Sequence, residues 1–278
     1  MKLSKLLGVA LTAALLSAPA FAENELTFSI QTDAVIGITS TSTGSGFKTP
    51  SGISPAGRVI PKAAYVIPTP LGDNWLVSGA TVELDGYVEI TPITVKPGVS
   101  VTFTPVPFLV FAAGGDLGYG WNLMGMYGSA YYAGADEYNT SMFYKGWAQG
   151  TFQFDTGALV PGDWTHVLMQ YTYQAYYQGV MGASSSYMWQ GGEYAAVAPR
   201  EYQCAILAYQ LPFAVYRVGV MLETDGFYGY AKDISITPLC CVRFSEKDNL
   251  NIGLYFKSDA GDPEWYIQRL GLSYTHTF

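Results

Sequence analysis

Charge is what this chain has least of. Lys, Arg, Asp and Glu make up 13% of its 278 residues, about half the usual share of a water-soluble domain. Histidine occurs only at His166 and His276, and no His-Glu-x-x-His, Cys-x-x-Cys or Gly-x-x-x-x-Gly-Lys run is present. The familiar zinc, thiol-redox and nucleotide motifs are therefore excluded, and no metal or cofactor is implied. The three cysteines, Cys204, Cys240 and Cys241, are too few for a disulfide framework. They read as small apolar wall residues, with a bridge from Cys204 to one of the adjacent pair left open. Past residue 22 the longest apolar run is Val106 to Ala113, far short of the ~18 residues a membrane helix needs. The acidic balance, −8 at pH 7, argues against a nucleic-acid partner.

What is present begins with an export signal. Met1 to Lys5 is a short basic start, Leu6 to Leu16 an apolar core, and Ser17 to Ala22 a breaker ending in Ala-x-Ala. Residues 1–22 are expected to be a cleaved signal peptide and 23–278 the mature domain. Aromatics reach 15%, with 22 tyrosines. That is odd for a surface facing water and suits one facing hydrocarbon, its apolar character hidden in alternation.

Alternation is the recurring pattern. Leu26, Phe28, Ile30, Ala34, Ile36 and Ile38 share one face, against Thr27, Ser29, Gln31, Asp33 and Thr39. Tyr216, Val218, Val220 and Leu222 oppose Arg217, Gly219, Glu223 and Asp225. At the end, Tyr266, Leu270, Leu272, Tyr274, His276 and Phe278 oppose Arg269, Ser273, Thr275 and Thr277, with Gln268 an exception on the apolar face. Counting by parity predicts twelve strands, at 26–40, 57–68, 75–90, 93–103, 108–121, 143–159, 164–181, 200–211, 214–227, 233–244, 249–258 and 264–278. Several exceed the ~9–11 residues that a tilted strand needs to cross a bilayer. The expected architecture is all-β, a transmembrane antiparallel up-and-down barrel. Short turns fall at Thr69–Asn74, Thr104–Pro107, Val160–Asp163, Pro212 and Ser245–Asp248, and long loops at 41–56, 122–142 and 182–199 on the opposite rim. Thr-Pro steps at Pro70, Pro92, Pro105 and Pro238 leave ten or fourteen strands open, because proline inside a strand is tolerated mainly at edges and bulges. A soluble exported β-sandwich has the same alternation and is the fold-level rival.

The ending Tyr274-Thr275-His276-Thr277-Phe278 resembles the C-terminal signature of Gram-negative outer-membrane β-barrel proteins. The resemblance implies an outer-membrane location, a lipid surround, and insertion by the barrel-assembly machinery, with Tyr274, His276 and Phe278 as its signal. Both histidines then fall at the periplasmic rim, where they read as imidazoles at headgroup depth beside Trp164 and Tyr274. Barrel hydrolases of that family work at the outer rim, so the chain is expected not to be an enzyme.

Two residue sets are the functional candidates. Arg58, Lys62, Glu83, Asp85, Glu89, Lys96, Asp155, Arg217, Glu223 and Arg269 face the lumen by parity, together with Asp225, Arg243 and Lys257. Mixed signs there mean either a transverse field across a narrow pore for small polar solutes or a lumen closed by its own ion pairs. Tyr127, Tyr131, Tyr132 and Tyr138 in one loop, and Tyr187, Trp189 and Tyr194 in the other, offer contact area for a sugar or partner. They are read alternatively as interfacial girdle residues. The expected function is thus a narrow pore, or else a structural or adhesive barrel with a closed lumen and binding loops.

Overall fold

A computed structural model describes residues 24–74, 76–134, 137–160, 162–262 and 264–278. The expected cleavage site at Ala22 lies outside the described residues. In chain order the strands are β1 (Glu25–Thr41), β2 (Thr49–Pro68), β3 (Thr81–Thr91), β4 (Thr94–Val106) and β5 (Leu109–Gly120). Four short loop strands follow: β6 (Asn122–Leu123), β7 (Met126–Tyr127), β8 (Ser129–Gly134) and β9 (Glu137–Thr140). Then come β10 (Met142–Asp155), β11 (Val167–Val180), the short β12 (Tyr187–Trp189) and β13 (Gly192–Tyr194), and β14 (Pro199–Gln210). The chain ends with β15 (Val215–Phe227), β16 (Asp233–Arg243), β17 (Asp248–Ser258) and β18 (Trp265–Thr277).

Twelve of these close into one barrel, each long strand antiparallel to its sequence neighbour and β1 paired with β18. Closure removes every free edge and rules out the two open sheets of a sandwich. The Phe278 amide donates to the Phe28 carbonyl at 3.0 Å, so both ends of the barrel chain meet at one rim. Val99, Val101, Phe111, Leu117, Leu207, Val220 and Leu222 form an exposed belt around the outside. Exposed Trp164, Phe213, Phe244 and Phe278 flank it at the rim of the C-terminus. A continuous apolar band of this kind has no stable place in water and is the surface a bilayer covers.

The proline question resolves through pairing. Pro92 occupies the tight turn between β3 and β4, and Pro105 sits near the far end of β4, beside a register shift between Phe103 and Val106. The two prolines bracket one crossing. The expected long loop 41–56 shrinks to 42–48, because β2 pairs with β1 up to Thr49. Pro50 and Pro55 belong to that strand. They are tolerated because β3 pairs with β2 only from Val59 inward, so no ladder bond is lost on their other side. The turn expected at Thr69–Asn74 runs on to Ala80.

Two bulges reset the parity. The β15–β16 register shifts between Val215 and Arg217, which turns Tyr216 inward, not outward with Val218. The β17–β18 register shifts opposite Gln268. Gln268 is the extra residue of that bulge, and beyond it Tyr266 points inward to donate to Asp259 at 3.0 Å.

Candidate functional site

Arg58, Lys62, Glu83, Asp85, Glu89, Lys96, Asp155, Arg217, Glu223 and Arg269 all line one interior cavity of about 670 Å³. Strand period 2 puts them there: each alternates with a lipid-facing apolar residue. The cavity reaches from Gln178 and Tyr194 near one mouth to Asp155, His166, Gln210 and Arg243 at the other.

Ion pairs knit one wall. The Arg58 guanidinium bridges Asp33 at 2.6 Å and Glu89 at 2.7 Å. Lys96 lies 3.6 Å from Glu89 and 3.8 Å from Asp116, while Tyr87 donates to Asp116. Lys62 meets Asp85 at 2.8 Å and Glu83 at 3.2 Å. Across the lumen Arg200 pairs with Asp225 at 3.2 Å and donates to the Tyr176 hydroxyl at 2.7 Å. Tyr202 donates to Glu223 at 2.8 Å, and Lys257 meets Asp233 at 3.2 Å. Between these walls, β10 and β11 present an uncharged stretch of Gln149, Thr151, Gln170, Thr172 and Gln174. Its members bond to one another, Gln174 to Gln149 at 3.0 Å and Thr151 to Thr172 at 2.9 Å. Asp33, Tyr87, Asp116, Lys145 and Arg200 are lumen residues that sequence reasoning left off the candidate set. Parity marks Asp33, but Asp116 sits in a glycine-rich run that blurs the pattern.

The loops between the barrel strands fold inward. β13, β12, β8 and β9 form a four-stranded sheet at the mouth away from the termini. Tyr187 and Trp189 are buried in it, 0% and 3% exposed, so they are neither outward contact area nor girdle residues. Trp189 stacks on Phe143 of β10 at 3.6 Å between ring centres. A Cβ on Gly118 would come within 2.6 Å of the same indole, so the missing side chain of β5 is the slot the ring fills. Tyr131 packs against this cluster, Tyr127 is half-buried beside Tyr138, and Tyr132 stays exposed. The Gln190 amide donates to the buried Glu89 carboxylate at 2.5 Å and to Thr94 at 3.2 Å. One side chain thus ties the loop sheet to the charged lumen wall. Gln190 sits at φ 49°, a left-handed conformation that costs a residue with a Cβ roughly 1–2 kcal/mol.

The histidines part company. His166 lines the cavity and bonds to Asp155 at 2.8 Å, so it is a lumen residue and not an interfacial one. No serine or cysteine joins that pair among the described residues. His276 faces outward at the rim, 2.8 Å from Asp248 and edge-on to Phe278. The three cysteines are free, with Cys204 and Cys241 buried and Cys240 half-buried. Outside the barrel wall, Lys48 reaches Asp262 at 2.7 Å; that hydrogen bond holds the Asp262 carboxyl below the ordinary aspartate range.

No family model and no curated protein matches the chain. Solved structures do match. An outer-membrane channel from Pseudomonas putida F1 superposes with a TM-score of 0.54 at 13% identity, over 95% of this chain and 99% of that one. The translocator domain of the autotransporter NalP from Neisseria meningitidis gives 0.43 at 10% identity, over 93% and 89%. At 13% identity the superposition on the channel shows a shared fold and nothing finer. With its closed twelve-strand barrel, lipid-facing belt and inward charges, the chain has the fold of the Gram-negative outer-membrane β-barrels.

Proposed function

We propose that the chain is a narrow outer-membrane channel for small polar solutes, shut at its outer mouth by its own loop sheet. The observation that carries this reading is a charged cavity that follows the barrel interior up to the loops. Opposed carboxylates and cations across it set up a transverse field that orders water and favours small polar molecules. The shared fold with an outer-membrane channel supports it. The mouth with the termini faces the periplasm in this reading. Tyr274 and His276, on the strand that closes the barrel, and Phe278 just past its end carry the assembly signal. No catalytic role is proposed.

Planar-bilayer recording of refolded protein tests the proposal. Brief, low-conductance openings are expected, lengthened when the loop sheet is loosened. The density of internal ion pairs favours the rival, a closed structural barrel. That rival requires a seal with no current even after the loop sheet has been loosened, and such a seal would overturn the channel reading.

A further inference from the structure

At the periplasmic end of the lumen, two cations lie side by side with no carboxylate between them. Arg58, Lys62, Lys96, Arg200 and Lys257 each meet a carboxylate. Arg217 and Arg243 meet none within ion-pair distance among the described residues. Both line the cavity. Both guanidiniums instead lie on one ring, Tyr216, at 5.4 and 4.3 Å from its centre. Those distances keep the two charges within about a Debye length, ~10 Å in 0.1 M salt, so they repel each other and gain from a shared counter-ion. The Arg217 Nε is buried without a hydrogen-bond partner, and a buried donor left unpaired carries a desolvation cost that a ligand would remove.

The site is built, not incidental. The bulge between Val215 and Arg217 puts two consecutive residues, Tyr216 and Arg217, on the inner face, which a regular strand cannot do. Tyr216 is then held in place by Cys204, Met221, Leu239 and Cys241. Arg243 comes in from the end of β16, close to the neighbouring register pair Val215–Val242. The result is two planar forks on a rigid aromatic platform, the donor geometry that matches an oxyanion bidentately.

We propose that Arg217, Arg243 and Tyr216 form an oxyanion site at the periplasmic end of the lumen, taking a carboxylate or phosphate group of a small solute. This rests on the channel reading for its purpose but not for its test. Isothermal titration calorimetry of the detergent-folded protein at low salt, with inorganic phosphate and with acetate as separate titrants, reads the site directly. One saturable phosphate site is expected, at least tenfold weaker in the Arg217→Gln/Arg243→Gln double variant. Saturation by acetate as well assigns the shared oxyanion chemistry, and saturation by phosphate alone narrows the ligand to a phosphate group. Heat-modifiable gel mobility checks that each variant is folded. If the double variant does not fold, Arg217→Lys and Arg243→Lys keep the charge and lose the fork, and each should weaken binding severalfold. Absence of saturable binding to the wild type, or binding unchanged in the folded variants, overturns the site. Phosphate binding with no conductance even after the loop sheet is loosened would instead sink the channel and leave the site standing.

Discussion

Gln190 offers the sharpest perturbation of the closed mouth, because two of its properties pull in opposite directions. Its side chain donates to Glu89 and Thr94, while its backbone pays for a left-handed φ. Gln190→Leu removes the donors and keeps the backbone strain. A hydrogen bond to a charged group contributes ~1.5–3 kcal/mol, and ~1.4 kcal/mol is a factor of ten. Loss of the Glu89 contact should therefore raise the open-to-closed ratio about 10- to 150-fold. Gln190→Asn is the complementary variant. Asparagine tolerates the left-handed region better than glutamine does, yet it is one methylene too short to reach Glu89. If the side-chain bond is the latch, Asn also opens the mouth. If backbone strain governs instead, Asn closes it more tightly than the wild type. Single-channel open probability in planar bilayers, with chymotrypsin cleavage after Tyr187, Trp189 and Tyr194 as a second readout, separates these cases. Opening within twofold of wild type in both variants would refute the latch.

Three further outcomes follow from the wall and the rim. Arg58→Met leaves Asp33 at its site and Glu89 with Lys96 and Gln190 alone; breaking a buried pair in this way costs ~3–5 kcal/mol, to be read as a shift in the urea unfolding midpoint, and a change below ~1 kcal/mol would contradict the assigned pairing. Cys204 and Cys241, at 4% and 0% exposure, should stay unlabelled by a charged maleimide in the folded barrel and label fully after heating in denaturant, with peptide mass spectrometry as the check. The Lys48 bond depresses the Asp262 carboxyl, so it stabilises the strap between residues 42–48 and 259–264 at neutral pH and is lost as pH falls through the acid range. Lys48→Met should move the Asp262 carbon-13 titration upward toward the ordinary aspartate value; an unmoved titration would show that the contact does not form in solution.

The strands were legible because their period is physical. A residue between lipid and lumen has only two directions to point, and Asp85, Lys96 and Glu223 announce theirs against Leu84, Val95 and Leu222. Bulges were not legible, since one extra residue leaves no mark except an exception such as Gln268, which was visible as an anomaly without its cause. Tyr216 gave less warning still: tyrosine suits an interface as well as a lumen, and only the register shift beside it decides. The loop sheet was hardest to foresee, because its residues have no period of their own and are buried by what they meet. Yet its receptor was written on the wall. Gly114, Gly118 and Gly120 share one face of β5, and a Cβ on them would strike Trp147, Trp189 and Gly128 respectively. Glycine weakens a strand and exposes its backbone, so three on one inward face make sense only if other groups fill the space. Two of the three fillers come from the folded-in loops. A lumen wall with three side chains missing from one strand is thus a sequence mark of an inserted loop, and it points inward while the aromatic content of the loops points out.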